Sequence, residues 1–191
     1  MIARRLAAVG ALTLAALSAP ALAQAAPIVP SQAILAAHEF PFGSTRYKVT
    51  SEVGSPAKSS GETACDRASY AVDKRMEGTR TTDASAERGA TELEASVNER
   101  PMADAMRTVF QTCGTQFGIR DRIALLPLPA DLNRYNGFVF ISVARDSYIG
   151  VVDVRGAAVG VSVNSRGDQP ADGDAFWQTL RAQVAKVERQ P

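Results

Sequence analysis

The chain has one histidine, His38, and two cysteines, Cys65 and Cys113. This scarcity removes most familiar catalytic chemistries. A Ser-His-Asp or Cys-His site would have to use His38. That residue stands beside Glu39 in a stretch that reads as a tail or first helix, and it fits a surface position. No G-x-S-x-G elbow accompanies it. A zinc site of three or four His and Cys ligands would consume every such residue, at spacings unlike any finger or knuckle. There is no C-x-x-C motif either. Ser55-Pro56-Ala57-Lys58 matches S-x-x-K and Ser162-Val163-Asn164 matches S-x-N, but K-T-G is missing and Ser55 does not open a helix. Asp168, Asp172 and Asp174 lack the D-x-D-x-D-G spacing and the distant glutamate of a calcium loop, so they read as caps and turns. Arg166-Gly167-Asp168 is likewise three common residues in a turn. We therefore assign no catalytic residue, no metal ligand and no cofactor.

Long apolar runs are also missing beyond residue 23; none approaches the roughly 20 residues of a membrane-crossing helix. The one apolar run present opens the chain. MIARR supplies a short basic start, LAAVGALTLAALSA an apolar stretch too short for a comfortable crossing, and Ala21-Leu22-Ala23 small residues at both key positions of a cleavage site. Residues 1–23 are predicted to be a secretory signal peptide rather than an anchor. Arg4-Arg5 lacks the context of a twin-arginine signal, and no cysteine follows to carry a lipid. Cleavage removes two of the 21 basic residues and none of the 20 acidic ones, leaving a formal charge of −1. That balance gives no general attraction to nucleic acid or anionic lipid. The expected location is periplasmic or secreted, with no transmembrane segment after cleavage.

Export changes how the cysteines read. An even count in an oxidising compartment predicts a Cys65–Cys113 disulfide. It would close a loop of 48 residues. The chain-entropy account assigns such a loop about 4 kcal/mol, less any strain.

Three parts are expected: the leader 1–23, an N-terminal tail 24–44 with three prolines, and a single domain 45–191. RYKVTSEV and TELEASVN alternate as half-buried strands, the second with Leu93, Ala95 and Val97 on one side. Residues 63–76 fit either a thin helical stripe or a strand. GTRTTDASAERGA reads as a polar loop or the exposed arm of a hairpin. Pro101 opens a helix whose face carries Met102, Met106, Val109, Phe110, Cys113 and Phe117. IALLPLP gives a short strand stopped by prolines. Between 138 and 164 three strands form a meander, the third with Val159, Val161 and Val163 on one face. Its other face, Ala158, Gly160 and Ser162, is small enough for close approach by a helix or a ligand. The helix that follows, with Phe176, Leu180, Val184 and Val187 along one side and Asp172 or Asp174 as cap, is the expected cover. The predicted class is α+β: a mainly antiparallel sheet, a C-terminal three-stranded meander and two amphipathic helices packed on one face.

The expected function is a small exported module, non-catalytic, that binds a protein partner of the cell envelope. A thin core leaves few places for a deep pocket. Arg134, Tyr135, Arg145 and Tyr148 are the candidate contact surface, because arginine and tyrosine dominate binding hot spots. The competing class is a small envelope hydrolase using paired carboxylates, for which the sequence selects no pair.

Overall fold

The computed structural model describes residues 26–58, 61–113, 123–142, 144, 146–167 and 169–191. The expected leader and Arg145 lie outside them. In chain order the elements are α1 (Pro30–Ala33), β1 (Thr45–Val53), α2 (Ala64–Met76), β2 (Arg80–Arg88), β3 (Thr91–Asn98), α3 (Ala103–Cys113), β4 (Ile123–Leu126), β5 (Asn136–Ser142), β6 (Ser147–Val154), β7 (Ala157–Ser165) and α4 (Gly173–Glu188). The strands form one antiparallel sheet in the order β1-β2-β3-β7-β6-β5-β4. The α+β class and the C-terminal meander are as expected. Arg155 and Gly156 join β6 to β7 with φ of 51° and 80°. Positive φ at both central residues marks the two-residue turn whose twist matches a hairpin.

Alternation sorts the residues of this sheet onto two faces. Leu93, Ala95 and Val97 stand directly opposite Val163, Val161 and Val159. All six are 0–2% exposed. Phe176, Leu180, Val184 and Val187 of α4 pack on them. Gly150 admits the Phe176 ring, since a Cβ there would lie 2.9 Å from its Cζ. Burial of such side chains contributes about 1.5–3 kcal/mol each.

The two amphipathic helices do not share a face, which corrects the expected layering. α4 covers the valine face of β7. α3 lies on the other side, with Met106 and Phe110 against Phe138, Phe140 and Val151, and α2 joins it through Val72 near Ala158. The bulky valine side gives α4 far more apolar area than Ala158, Gly160 and Ser162 could. The start of α3 is also set from a distance. Asp153 on β6 accepts hydrogen bonds from the Met102 and Ala103 N–H groups at 2.7 and 3.0 Å, replacing a local cap.

The region 63–76 is helical because Thr63 and Asp66 exchange side-chain-to-backbone hydrogen bonds of 3.0 and 3.1 Å in a capping box. The stretch 78–90 supplies β2, the hairpin arm, with Thr82, Ala84 and Ala86 buried.

The segment expected as a loose tail instead packs into the core from Ile28 onward. Ile28, Leu35 and Phe40 are 0–5% exposed. Gln183 of α4, fully buried, accepts from the Leu35 N–H at 3.0 Å and donates to the Ala33 carbonyl at 2.7 Å. Lys186 bonds Glu39 beside them. Among the described residues no helix is long and apolar enough to cross a membrane.

Candidate functional site

The face away from α4 is built in rows across the strands. The middle row runs Thr50, Asp83, Ser96, Gly160, Val151 and Phe138. A row above holds Lys48, Ser85, Glu94, Ser162, Ile149 and Phe140. The row below holds Glu52, Thr81, Asn98, Ala158, Asp153 and Asn136. The middle and upper rows therefore change from polar on β1–β3 to apolar on β5–β6, whereas the lower row ends in Asp153 and Asn136. Helices α2 and α3 cover the apolar end and leave the polar end open.

Where cover meets open sheet there is a cleft of about 220 Å³. Its apolar wall is Met76, Met102, Met106 and Val151; its floor is Ala158 and Gly160; its polar rim is Glu52, Thr81, Asp83, Ser96 and Asn98. Gly160 is needed for the depth, because a Cβ there would lie 2.3 Å from the Ser96 Oγ. The volume is below that of a drug-sized site but above the roughly 150 Å³ of a cavity that holds benzene. Methionine walls adapt to irregular apolar shapes.

The polar rim is not uniformly satisfied. Asn98 donates to the Thr79 and Thr81 hydroxyls at 3.1 and 2.8 Å and accepts from the Arg100 N–H at 2.9 Å. Glu94 accepts from Ser162 at 3.2 Å. The Asp83 carboxylate, by contrast, gains no hydrogen bond or cation among the described residues. Burial first, then the nearby charges of Glu94 and Glu52, together push it up to about 6. Thr50 and Ser96 stand directly opposite Asp83, so both glutamates are its diagonal neighbours, about 7–8 Å away at Cα.

The Cys65–Cys113 bridge forms with Cα atoms 4.8 Å apart. It ties the first turn of α2 to the last of α3, pinning together the two helices that supply the methionine wall. Of the other expected site residues, Arg134, Tyr135 and Tyr148 do not converge. Arg134 and Tyr135 are local partners, with the guanidinium 4.8 Å from the ring centroid. The Tyr135 hydroxyl donates to Glu188 at 2.7 Å, at the C-terminal end of α4. Tyr148 stacks on Phe176 with ring centroids 5.3 Å apart. It abuts Gly173 at the opposite end of that helix, about 22 Å away by helical rise. His38 is exposed on a short 3₁₀ turn, Ala37–Glu39. Among the described residues no group of His, Cys, Asp and Glu has metal-binding geometry.

Glu52, Asp83 and Glu94 had no distinguishing mark in the sequence. Their available signal was phase: Asp83 alternates with Thr81 and Ser85, and Glu94 with Ser96 and Asn98, opposite the buried alanines and valines. The small face of Ala158, Gly160 and Ser162 was the one visible half of this site.

No protein-family model matches the chain, and no curated protein is significantly similar to it. Among solved structures it is similar to the extracellular domain of PknH from Mycobacterium tuberculosis, at 11% identity over 86% of this chain and 99% of that chain, with a TM-score of 0.48. It is also similar to an uncharacterised protein from Mycobacterium smegmatis, at 13% identity over 78% of this chain and 92% of that one, with a TM-score of 0.41. Neither likeness bears on what this chain binds.

Proposed function

We propose that the chain is an exported, non-catalytic binding module whose open sheet face takes a small ligand with a cationic group and a short apolar body. The cleft carries this reading: a methionine-lined hollow of about 220 Å³ beside a carboxylate that has no cation partner among the described residues. An ammonium or guanidinium group at Asp83 would supply the missing partner, and an attached chain or ring would fill the methionine wall. Export is supported by the pattern of residues 1–23 and by a disulfide suited to an oxidising compartment. The ligand reading replaces the arginine–tyrosine surface, whose described members, Arg134, Tyr135 and Tyr148, lie at two ends of α4 and are engaged locally.

The hydrolase reading is weaker on this geometry. Asp83 and Glu94 stand side by side on adjacent strands of one wall. Glycoside hydrolysis needs carboxyl groups flanking the scissile bond.

Ligand-observed NMR with a series of n-alkylammonium ions and the matching alcohols tests the proposal. The ammonium ions should bind with affinity rising with chain length, and the alcohols should bind at least tenfold more weakly. Binding should fall as pH drops below about 6 and be lost in Asp83→Asn. Equal binding of ammonium ions and alcohols, or an unaffected Asp83→Asn variant, would remove the ligand reading. Turnover of nitrophenyl glycosides that disappears in Asp83→Asn would remove the non-catalytic one.

A further inference from the structure

We infer that β1 is a self-association surface, on which two copies of this chain join antiparallel, centred on Thr50, into one continuous sheet. β1 closes one end of the strand order, and among the described residues only β2 pairs with it. It is exposed at every position except Tyr47. Val49 and Val53, on the face shared with α4, are 45% and 63% exposed. A bulge at Arg46, whose φ is 54°, confines regular pairing to Lys48–Val53.

Unpaired strand edges template further strands, and a lone lysine is a common guard against this. Lys48 is not alone. Glu52 lies on the same face of the strand, two residues beyond Thr50 as Lys48 is two before it. When Thr50 faces its own counterpart, Lys48 of each copy stands directly opposite Glu52 of the other. Val49 then faces Ser51, and Tyr47 faces Val53. Every such pair joins residues of one face, as antiparallel pairing requires. Opposite charges facing across strands are stabilising, and like charges in those positions are destabilising. Neither Lys48 nor Glu52 makes an ion pair within the chain among the described residues. Both are therefore available to a second copy. A guard lysine would have no complement at the mirrored position; this strand carries one.

The inference is independent of the ligand reading, because its readout is mass. Sedimentation velocity on the purified full chain should show a concentration-dependent dimer that weakens as salt is raised. Lys48→Glu leaves two like charges facing in each pair, as does Glu52→Lys, and each variant should raise the dimer Kd roughly tenfold or more. An equimolar mixture of the two variants re-creates opposite charges at both positions and should restore the dimer. So should the double variant Lys48→Glu/Glu52→Lys, which also separates a lost contact from a failure to fold. A chain that stays monomeric overturns the proposal, including one whose β1 edge takes an unrelated extended peptide instead. A dimer indifferent to these charges, or a mixture that stays monomeric, overturns it too.

Discussion

One sheet presents two unlike faces made from alternate residues of the same strands. On the α4 side, valine and leucine meet a full helix and the N-terminal segment, and the face is dry except along β1. On the other side, the α2–α3 pair covers only the apolar end. Ser96, Gly160, Asp83 and Glu94 remain at or near solvent beside a cleft. The difference teaches that one face supplies cohesion while the other is left with room for chemistry. The interaction that most raises the Asp83 carboxyl, its partial burial, exists because the helical cover stops beside it.

The largest break in this contrast should come from truncation on the dry side. Phe176→Ala should cost about 4 kcal/mol, a large share of the stability of an ordinary domain. Met106→Ala, in the half-covered wall of the cleft, should cost about 1 kcal/mol because neighbouring groups and water can fill the space. Urea unfolding of the two variants measures the ratio. Similar costs would mean that the methionine wall is as much core as the valine face.

A smaller effect should follow at Gln183, which ties the N-terminal segment to α4. Gln183→Leu strands the Leu35 N–H and the Ala33 carbonyl without partners and should cost about 2 kcal/mol. Limited proteolysis should then cut first within residues 27–44, while the sheet survives. Unchanged protection of that segment would show that Ile28, Leu35 and Phe40 hold it unaided.

The smallest effect sharpens the open side. Asp83 has a folded pKa of about 6, above its ordinary 3.8. The folded state therefore binds the proton more tightly than the unfolded chain, and stability falls as pH rises through the window from 3.8 to about 6. Asp83→Asn removes that penalty. It should raise stability by about 1 kcal/mol at neutral pH, after allowance for solvent screening of a half-exposed group. The gain should shrink toward pH 4. A variant less stable than the parent at neutral pH would mean that the ionised carboxylate has a favourable partner.

Much of the fold was legible because its signals are local. TELEASVN and the run from Phe138 to Asn164 alternate strongly. The stripe from Phe176 to Val187 has helical spacing, and two cysteines have one possible pairing. The stretch 78–90 was ambiguous because small and polar residues, Thr82, Ala84 and Ala86, form its buried side. Residues 27–44 resembled a tail because prolines hide a segment whose apolar residues are irregularly spaced. The candidate site was half legible. The small face of β7 was visible, but Asp83 is one of 20 acidic residues and became distinctive only through its position.

By itself, then, the sequence determined which residues share a side of each strand or helix, since a period of two or 3.6 follows from backbone geometry over a few residues. Only the tertiary structure decided which side each helix covers. That choice rests on contacts between residues far apart in the chain: α4 on the valines of β7, Asp153 at the start of α3, and Gln183 against Ala33 and Leu35. Such contacts leave no period in the sequence, yet they determine where the cover ends and which carboxylate is left at the edge of the cleft.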